Sequence, residues 1–301
     1  MTNNQSSNQK QTEETFGFKW KKRDTYESAA VQKELRRWLF EKYFDNDPTL
    51  LDDLLSVKSG GKSILDAGCG SGGSALLLFG EHLKNHRYLG VDISEAVKVA
   101  KERFNERGIQ AQFEQCDLNS IPERYGKFDI IFSEGVLHHT DSVETAISRL
   151  AQRLKRGGKF LFYVYAKKAP IREFTDDLIR DAISAMGNEE AWNALEPLTK
   201  LGEKLGDLNI EIEIDEDIPY LGIDKGKYNL QRLFYYKICK AYYRSEYSLH
   251  EMNHINFDWF RPRNCFRHTP KEISNFCDKA GLSVERMHVE ESGITVIATK
   301  P

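Results

Sequence analysis

The stretch Ile64-Leu65-Asp66-Ala67-Gly68-Cys69-Gly70-Ser71-Gly72-Gly73 joins a short apolar run to a glycine-rich loop. The apolar run predicts a buried strand over 63–67. The glycines predict a tight turn whose backbone approaches a ligand closely, because residues without a Cβ atom tolerate such a turn. A helical pattern through 76–79 follows, so the stretch predicts the first strand, loop and helix of an α/β sheet.

The alternation of strand and helix continues after this loop. Helical patterns at 95–107 and after residue 141 separate short apolar runs, which predict strands over 63–67, 88–91, 111–115, 128–132 and 159–164. A capping box of Asp141 and Glu144 is expected to open the second of these helices. Near the end, Thr269-Pro270-Lys271-Glu272 predicts a capped helix, and 282–289 and 293–299 predict a hairpin of two strands. We therefore expect an α/β fold with a parallel, doubly wound sheet.

Changes in composition along the chain predict its organisation. Between the fifth strand and the terminal helix, about a hundred residues carry helical patterns and an aromatic run instead of strands. This insertion leaves the sheet at its carboxyl edge, so we expect it to fold over the crevice as a lid. The predicted parts are a disordered polar tail (1–15), an N-terminal helical cap (16–60), a cofactor-binding core (61–165), a helical and aromatic lid insertion (166–268) and a core completion (269–301).

The composition of the chain limits its expected binding partners and its expected cellular compartment. The 301 residues carry a formal net charge of −3, so nothing attracts the whole chain to nucleic acid or to an anionic membrane. Five cysteines are odd in number and form no C-x-x-C pair, so neither a disulfide framework nor a cysteine zinc site is indicated. The polar first residues resemble neither a signal peptide nor a transit peptide, and we expect a soluble cytoplasmic protein.

The glycine loop alone does not choose its cofactor. Gly68, Gly70 and Gly73 also satisfy the dinucleotide-binding fingerprint, and Asp92 lies at about the distance expected of a ribose-binding carboxylate. Asp66 separates the alternatives, because a carboxylate just before the loop is poorly placed beside a pyrophosphate. It suits a ligand with an ammonium and a sulfonium group, so charge favours S-adenosylmethionine.

Four segments resemble class I methyltransferases of the small-molecule type: 64–72, Gly90-Val91-Asp92-Ile93-Ser94, Cys116-Asp117-Leu118 and Phe128-Asp129-Ile130-Ile131. The resemblance implies a Rossmann-like, seven-stranded sheet whose terminal hairpin inserts an antiparallel strand. It implies S-adenosylmethionine as cofactor, with Asp92 on the ribose hydroxyls, Asp117 by the adenine amino group, and Gly68 and Gly70 beside the methionine moiety. The expected cofactor-binding set is Asp66, Ala67, Gly68, Cys69, Gly70, Asp92, Ile93, Cys116, Asp117, Leu118, Ser133 and Glu134.

Two histidines follow the fourth predicted strand, at the edge where open α/β sheets bind ligands. Methyl transfer to a hydroxyl requires removal of a proton, and a histidine that titrates near neutrality can act as the general base. His138 and His139 are therefore the candidate catalytic residues, and the sequence does not choose between them. The alternative is structural: one histidine packs and the other caps the following helix.

The insertion is expected to select the methyl acceptor. Trp259, Arg261, Arg263, Arg267 and His268 would suit a phosphate, a carboxylate or a sugar acid through bidentate arginine contacts and aromatic stacking. Alternatively, these arginines pair with the acidic stretch 206–224. The leading hypothesis is transfer of a methyl group to oxygen or nitrogen of a small molecule. Methylation of RNA or protein, and a non-catalytic binding module, are the alternatives.

One further motif stands apart from this hypothesis. His250-Glu251-Met252-Asn253-His254 matches H-E-x-x-H, which on a helix places two histidines on one face for zinc. No third ligand is evident from spacing, and the predicted sheet has no place for a protease cleft. We therefore predict no metal, and keep a metal site at His250 and His254 as an alternative.

Overall fold

The computed structural model describes residues 6–21, 28–56 and 60–301. These residues form two compact units. The core unit comprises the described residues within 1–20, 32–166 and 264–301, and the insertion unit comprises those within 21–31 and 167–263.

A seven-stranded sheet organises the described part of the core unit, with strand order β3-β2-β1-β4-β5-β9-β8. Neighbouring strands from β3 to β5 are parallel, whereas β9 pairs antiparallel with both β5 and β8. The strands are β1 (Ser63–Ala67), β2 (Arg87–Asp92), β3 (Ala111–Gln115), β4 (Phe128–Glu134), β5 (Leu154–Tyr165), β8 (Ser283–Val289) and β9 (Gly293–Thr299). The predicted seven-stranded, Rossmann-like sheet with an antiparallel C-terminal hairpin is confirmed.

Helices cover both faces of this sheet, which is why β1 is buried along its whole length. The core-unit helices are α1 (Ser7–Lys21), α2 (Ala29–Phe44), α3 (Pro48–Leu54), α4 (Gly73–Phe79), α5 (Ala96–Glu106), α6 (Val143–Gln152) and α11 (Pro270–Lys279), where the ends of α1 and α2 extend into the insertion unit. One apolar cluster joins Ile147 and Cys277 to Leu65, and a second joins Tyr43 and Phe79 to Ile64. Two core layers thus enclose a doubly wound sheet.

The N-terminal region is more helical than the sequence predicted. Helix α1 begins at Ser7, inside the tail predicted to be disordered over 1–15, whose residues 1–5 lie outside the described residues. The polar composition of this helix did not predict it, because its contacts with the core are tertiary, such as that of the Phe16 ring with His139, whose centroids lie 5.1 Å apart. Helix α2 lies within the helical cap predicted over 16–60.

Two local predictions need correction. The N-cap of α6 is Ser142, which accepts a hydrogen bond from the Thr145 amide, so Asp141 and Glu144 do not form the predicted capping box. The fifth strand, predicted over 159–164, begins at Leu154. It includes Gly157, where the register against β4 shifts and the backbone amide donates to the Lys300 carbonyl at 2.7 Å.

The insertion unit is mainly helical. Its elements are α7 (Pro170–Ile183), α8 (Asn188–Leu208), a hairpin of β6 (Glu211–Ile214) and β7 (Gly226–Asn229), α9 (Leu230–Leu233), a π-helical turn (Phe234–Ile238) and α10 (Leu249–Phe260). The sequence predicted helices here but not the hairpin, because β6 alternates exposed glutamates with half-buried isoleucines, β7 is mainly polar, and neither strand has an apolar run.

Candidate functional site

The glycine loop leaves β1 at the carboxyl edge of the sheet. Gly68, Gly70 and Gly72 adopt φ values of +87°, +50° and +76°, which side chains with a Cβ atom rarely accept. A Cβ atom on Gly68 would lie 2.3 Å from the Val136 side chain, so the loop closes against the segment after β4 only with glycine here. The Gly68 amide donates to the Val91 carbonyl at 2.8 Å, which fixes the loop on β2.

Asp92, at the end of β2, organises this loop. Its Oδ2 accepts the Gly70 amide at 2.9 Å, and its Oδ1 accepts the Ser94 amide and hydroxyl at 2.8 and 2.6 Å. Burial raises the pKa of Asp92, and these hydrogen bonds and the charge of Lys19 oppose the rise. A carboxylate offers about four acceptor positions, so three donors leave one for a ligand hydroxyl.

Asp66 is almost fully buried in β1, 3% exposed. Burial raises the pKa of Asp66 to about 7; the hydrogen bond from the Tyr88 hydroxyl lowers it, and the charges of Asp92 and Glu134 add to the rise. A carboxyl group with a pKa of about 7 ionises readily when a cation lies beside it.

A buried lysine pairs with one carboxylate of the acidic edge, which consists of Asp66, Asp92 and Glu134 at the carboxyl edge of the sheet. Lys42 of α2 is fully buried and ion-paired with Glu134 at the end of β4, whose other oxygen accepts the Tyr43 hydroxyl at 2.8 Å. The Lys42 ammonium lies 3.3 Å from the ring centroid of Trp38 and 3.9 Å from that of Tyr163. Burial lowers the pKa of Lys42 to about 8, and the charge of Glu134 opposes that change.

Lys42 was missed by sequence reasoning, although a signal was present. The apolar stripe that predicts α2 includes Trp38 and Tyr43, and Lys42 follows Trp38 by four residues on the same face. A lysine within an apolar stripe indicates a buried charge with a dedicated partner.

Residues at the ends of β3 and β4 complete the carboxyl edge of the sheet. The Cys116 amide donates to the Asp92 carbonyl at 2.9 Å, and Asp117 Oδ1 accepts the Asn119 amide at 2.6 Å, which opens the turn that contains Leu118. The Ser133 hydroxyl donates to the Ala67 carbonyl at 2.7 Å and ties β4 to β1. The Ile93 carbonyl accepts the Gln115 side-chain amide at 3.1 Å. The structure therefore brings the predicted cofactor-binding residues to one edge.

The two histidines after β4 have different surroundings. His138 is fully buried and stacks on Tyr165, with ring centroids 3.6 Å apart. His139 Nδ1 lies 2.7 Å from the Asn264 carbonyl oxygen, and the Asn264 side-chain amide donates to Asp141. Because a carbonyl only accepts, this contact places a proton on Nδ1 and leaves the lone pair of a neutral ring on Nε2.

Helix α1 lies against the same edge. Phe16 packs edge-on against His139, with ring centroids 5.1 Å apart, and the Lys19 ammonium lies 5.3 Å from the Phe16 ring centroid. Lys19 is buried, and its charge lowers the pKa of Asp92. The helical cap predicted over 16–60 therefore contacts the site through Phe16.

Comparison with known proteins identifies the central part of the chain. A family described as a methyltransferase domain matches residues 65–162, which include the glycine loop, Asp92 and Glu134. Residues 65–162 therefore form a methyltransferase domain.

Relatives of this methyltransferase domain include two curated proteins. A ubiquinone biosynthesis O-methyltransferase of Nitrosococcus oceani is 29% identical over 149 residues, 46% of this chain and 61% of that protein. The uncharacterized methyltransferase YcgJ of Bacillus subtilis is 35% identical over 121 residues, 39% of this chain and 47% of that protein. The chain thus spans about half the length of these curated relatives.

A solved structure has the same fold. Magnesium protoporphyrin IX methyltransferase from Synechocystis PCC 6803, crystallised with bound S-adenosylmethionine, matches with a TM-score of 0.51 and 15% identity, covering 100% of both chains. At this level of identity, the likeness is one of fold.

The residues predicted to bind the acceptor are divided between the two units. In the insertion unit, Arg261 donates to Asn188 Oδ1 at 2.9 Å and to the Met186 carbonyl at 2.8 Å, while Arg263 donates to the Ser184 carbonyl at 3.5 Å and Trp259 is buried. In the core unit, Arg267 is half-buried, and the His268 amide donates to the Tyr165 carbonyl at 3.0 Å.

The H-E-x-x-H segment has structural contacts on α10. Glu251 forms a capping box with Ser248, while the rings of His250 and His254 lie 4.9 and 5.8 Å from that of Trp192. Within residues 6–21, 28–56 and 60–301, no group of three or more histidine, cysteine, aspartate or glutamate residues is arranged to hold a metal ion. Across the same ranges, every helix is too short or too polar to span a bilayer.

Proposed function

We propose that this methyltransferase domain transfers a methyl group to an oxygen or nitrogen atom of a small molecule, with His139 as the general base. The contact between His139 Nδ1 and the Asn264 carbonyl at 2.7 Å carries the assignment. It supports His139 over His138 because a base needs a fixed tautomer, and a carbonyl partner on Nδ1 provides one.

The negative charge of the acidic edge supports S-adenosylmethionine, which is cationic at sulfur, as the cofactor. Asp66, Asp92 and Glu134 stand at the ends of three adjacent strands, and Lys42 is the cation that pairs directly with Glu134. S-adenosylmethionine, when bound, supplies a methyl group on a positively charged sulfur. Asp66 and Glu134 would stabilise its cationic groups, Asp92 would accept a ribose hydroxyl at its remaining acceptor position, and Asp117 would lie by the adenine.

His139 would act on the acceptor. Its Nε2 lone pair would take the proton of a hydroxyl or a protonated amine, and the Asn264 carbonyl would stabilise the resulting imidazolium through Nδ1–H. Asn264 is itself held by its bond to Asp141, at 2.8 Å. The neighbouring Phe16 ring would limit the access of water to this base.

The test uses His139→Gln with cofactor labelled in its methyl group and fractionated metabolites from the native cell. Glutamine keeps a donor for the Asn264 carbonyl but cannot accept the proton. We expect transfer to fall by about 10²–10⁴-fold, while calorimetry shows unchanged affinity for S-adenosylmethionine. His82→Gln, at a solvent-exposed histidine, serves as the matched control. Wild-type transfer rates in His139→Gln would refute the base, and no transfer by the wild-type protein to any fraction would refute the small-molecule acceptor.

A further inference from the structure

The inner face of helix α1 is polar although it is buried. Four residues at intervals of three and four share this face, namely Thr12, Thr15, Phe16 and Lys19. Thr12, Thr15 and Lys19 are each less than a tenth exposed. A helix that packs only on a hydrophobic core buries an apolar stripe. The composition of this face therefore indicates contact with polar groups of the protein or of a ligand.

This face of α1 lies on the segment that follows β4, and both elements belong to the core unit. At the start of the helix, the Ser6 hydroxyl donates to Asp141 Oδ1 at 2.8 Å. Farther along, the Phe16 ring contacts that of His139, with centroids 5.1 Å apart. Thr12 lies between these two contacts, one helical turn before Phe16. Its side chain is therefore on the side of the helix that faces His139.

The Thr12 hydroxyl is the group on this face that indicates a ligand. Thr12 is 2% exposed, and within the part of the chain that the structure describes its Oγ1 has no hydrogen-bond partner. The Thr15 hydroxyl on the same face differs, because it accepts the Gln11 side-chain amide at 2.8 Å. A buried hydroxyl without a partner destabilises a folded protein. A ligand that supplies the missing hydrogen bond would remove this cost.

The surroundings of Thr12 favour an uncharged polar group as its partner. A hydroxyl both donates and accepts, so it can bind a hydroxyl, a carbonyl or an amide. Asp141, at the start of the same helix, accepts the Ser6 hydroxyl and the Asn264 side-chain amide. Its carboxylate would repel an anionic group bound nearby.

We propose that Thr12 forms a hydrogen bond with a hydroxyl, carbonyl or amide group of the methyl acceptor, next to the atom that His139 deprotonates. This inference rests on the proposed function, since it adds a second residue that binds the same acceptor. An acceptor without the polar group would leave the buried hydroxyl unpaired and would bind more weakly. Thr12 is thus a specificity-determining residue, in a helix that the sequence did not predict.

Thr12→Val tests the inference, because valine keeps the shape of threonine without its hydroxyl. In the free protein this hydroxyl has no hydrogen bond to lose, so we expect the midpoint of chemical denaturation to stay or to rise. Methyl transfer is measured with labelled S-adenosylmethionine and the metabolite fraction that the wild-type protein methylates. We expect the concentration of this fraction at half-maximal transfer to rise about threefold to tenfold. Thr12→Ser, which keeps the hydroxyl, should retain the wild-type value.

Thr15→Val is the matched control for stability, because it removes a hydroxyl that accepts a hydrogen bond on the same face. Its denaturation midpoint should fall. An equal fall in Thr12→Val would show that the Thr12 hydroxyl has a partner within the protein, and would overturn the inference.

Calorimetry with S-adenosylmethionine separates the acceptor from the cofactor. We expect wild-type affinity in Thr12→Val, and weaker affinity would assign the hydroxyl to the cofactor and overturn the inference. Equal transfer by the wild-type protein and Thr12→Val would contradict this inference alone. Absence of transfer by the wild-type protein would contradict the proposed function and the inference together.

Discussion

The core unit and the insertion unit each bury an ion pair, and the two pairs have different neighbours. At the carboxyl edge of the sheet, Lys42 pairs with Glu134 and the neighbouring strand ends carry Asp66 and Asp92. In the insertion unit, Arg172 pairs with Asp176, which also accepts the Trp259 indole. Burial of charge destabilises a fold unless a partner compensates it. Arg172 and Asp176 compensate each other, whereas the carboxyl edge carries two carboxylates beyond its ion pair, and we propose that these receive a cationic cofactor.

Removal of the counter-charge at the acidic edge should have the largest effect. Lys42→Met would leave Glu134 buried without its ion pair, and we expect the free energy of unfolding to fall by about 3–5 kcal/mol. Chemical denaturation measures the change. The double variant Lys42→Met/Glu134→Gln should recover much of the loss, because it removes both charges.

Lys98→Met is the control for this comparison, since Lys98 forms an exposed pair with Glu95. A surface pair contributes about 0–1 kcal/mol, so this variant should be nearly as stable as the wild-type protein. A loss in Lys42→Met no larger than in Lys98→Met would contradict the buried ion pair.

The second prediction concerns the loop. Asp92→Ala removes the acceptor of the Gly70 and Ser94 amides and the expected partner of the ribose, so we expect affinity for S-adenosylmethionine to fall about 100-fold. Calorimetry provides the measurement. Asp47→Ala is the control, because Asp47 caps α3 by accepting the Thr49 amide. Wild-type affinity in Asp92→Ala would remove Asp92 from the site.

The smallest expected effect is a dependence of S-adenosylmethionine affinity on pH. With a pKa of about 7, Asp66 is largely protonated in the free protein below neutrality, and a cationic cofactor favours its ionised form. Affinity for S-adenosylmethionine should therefore rise with pH up to about 7 and level off above it, with a slope of at most about tenfold per pH unit. Asp66→Asn should bind more weakly and lose this component of the slope. An unchanged profile in Asp66→Asn would assign the titration to another group.

The strands of the sheet could be predicted because each is encoded by a short run of neighbouring residues. β1 and β3 have the predicted bounds, since each is a short run between a glycine and a loop. The N-cap of α6 was misplaced by one residue because Ser142 and Asp141 are both good caps. Helix α1 was missed because contacts distant in sequence, including the one with Asp141, stabilise it.

The candidate site was predictable only where it follows strand ends. Asp66, Asp92 and Asp117 occupy such positions, so the chain order of the strands was enough to bring them together. The choice between His138 and His139 depends on Asn264, more than a hundred residues away. The partners of Trp259 come from two other segments of the insertion unit, 168–180 and Lys240, and no spacing in the sequence predicts that they meet.

A calorimetric titration of the wild-type protein with S-adenosylmethionine and, in parallel, with NAD most directly tests whether the carboxyl edge binds a cationic cofactor. An edge built from Asp66, Asp92 and Glu134 should bind the cationic cofactor and repel a pyrophosphate. We expect saturable binding of S-adenosylmethionine at one site and no measurable binding of NAD. Binding of NAD without binding of S-adenosylmethionine would contradict the account.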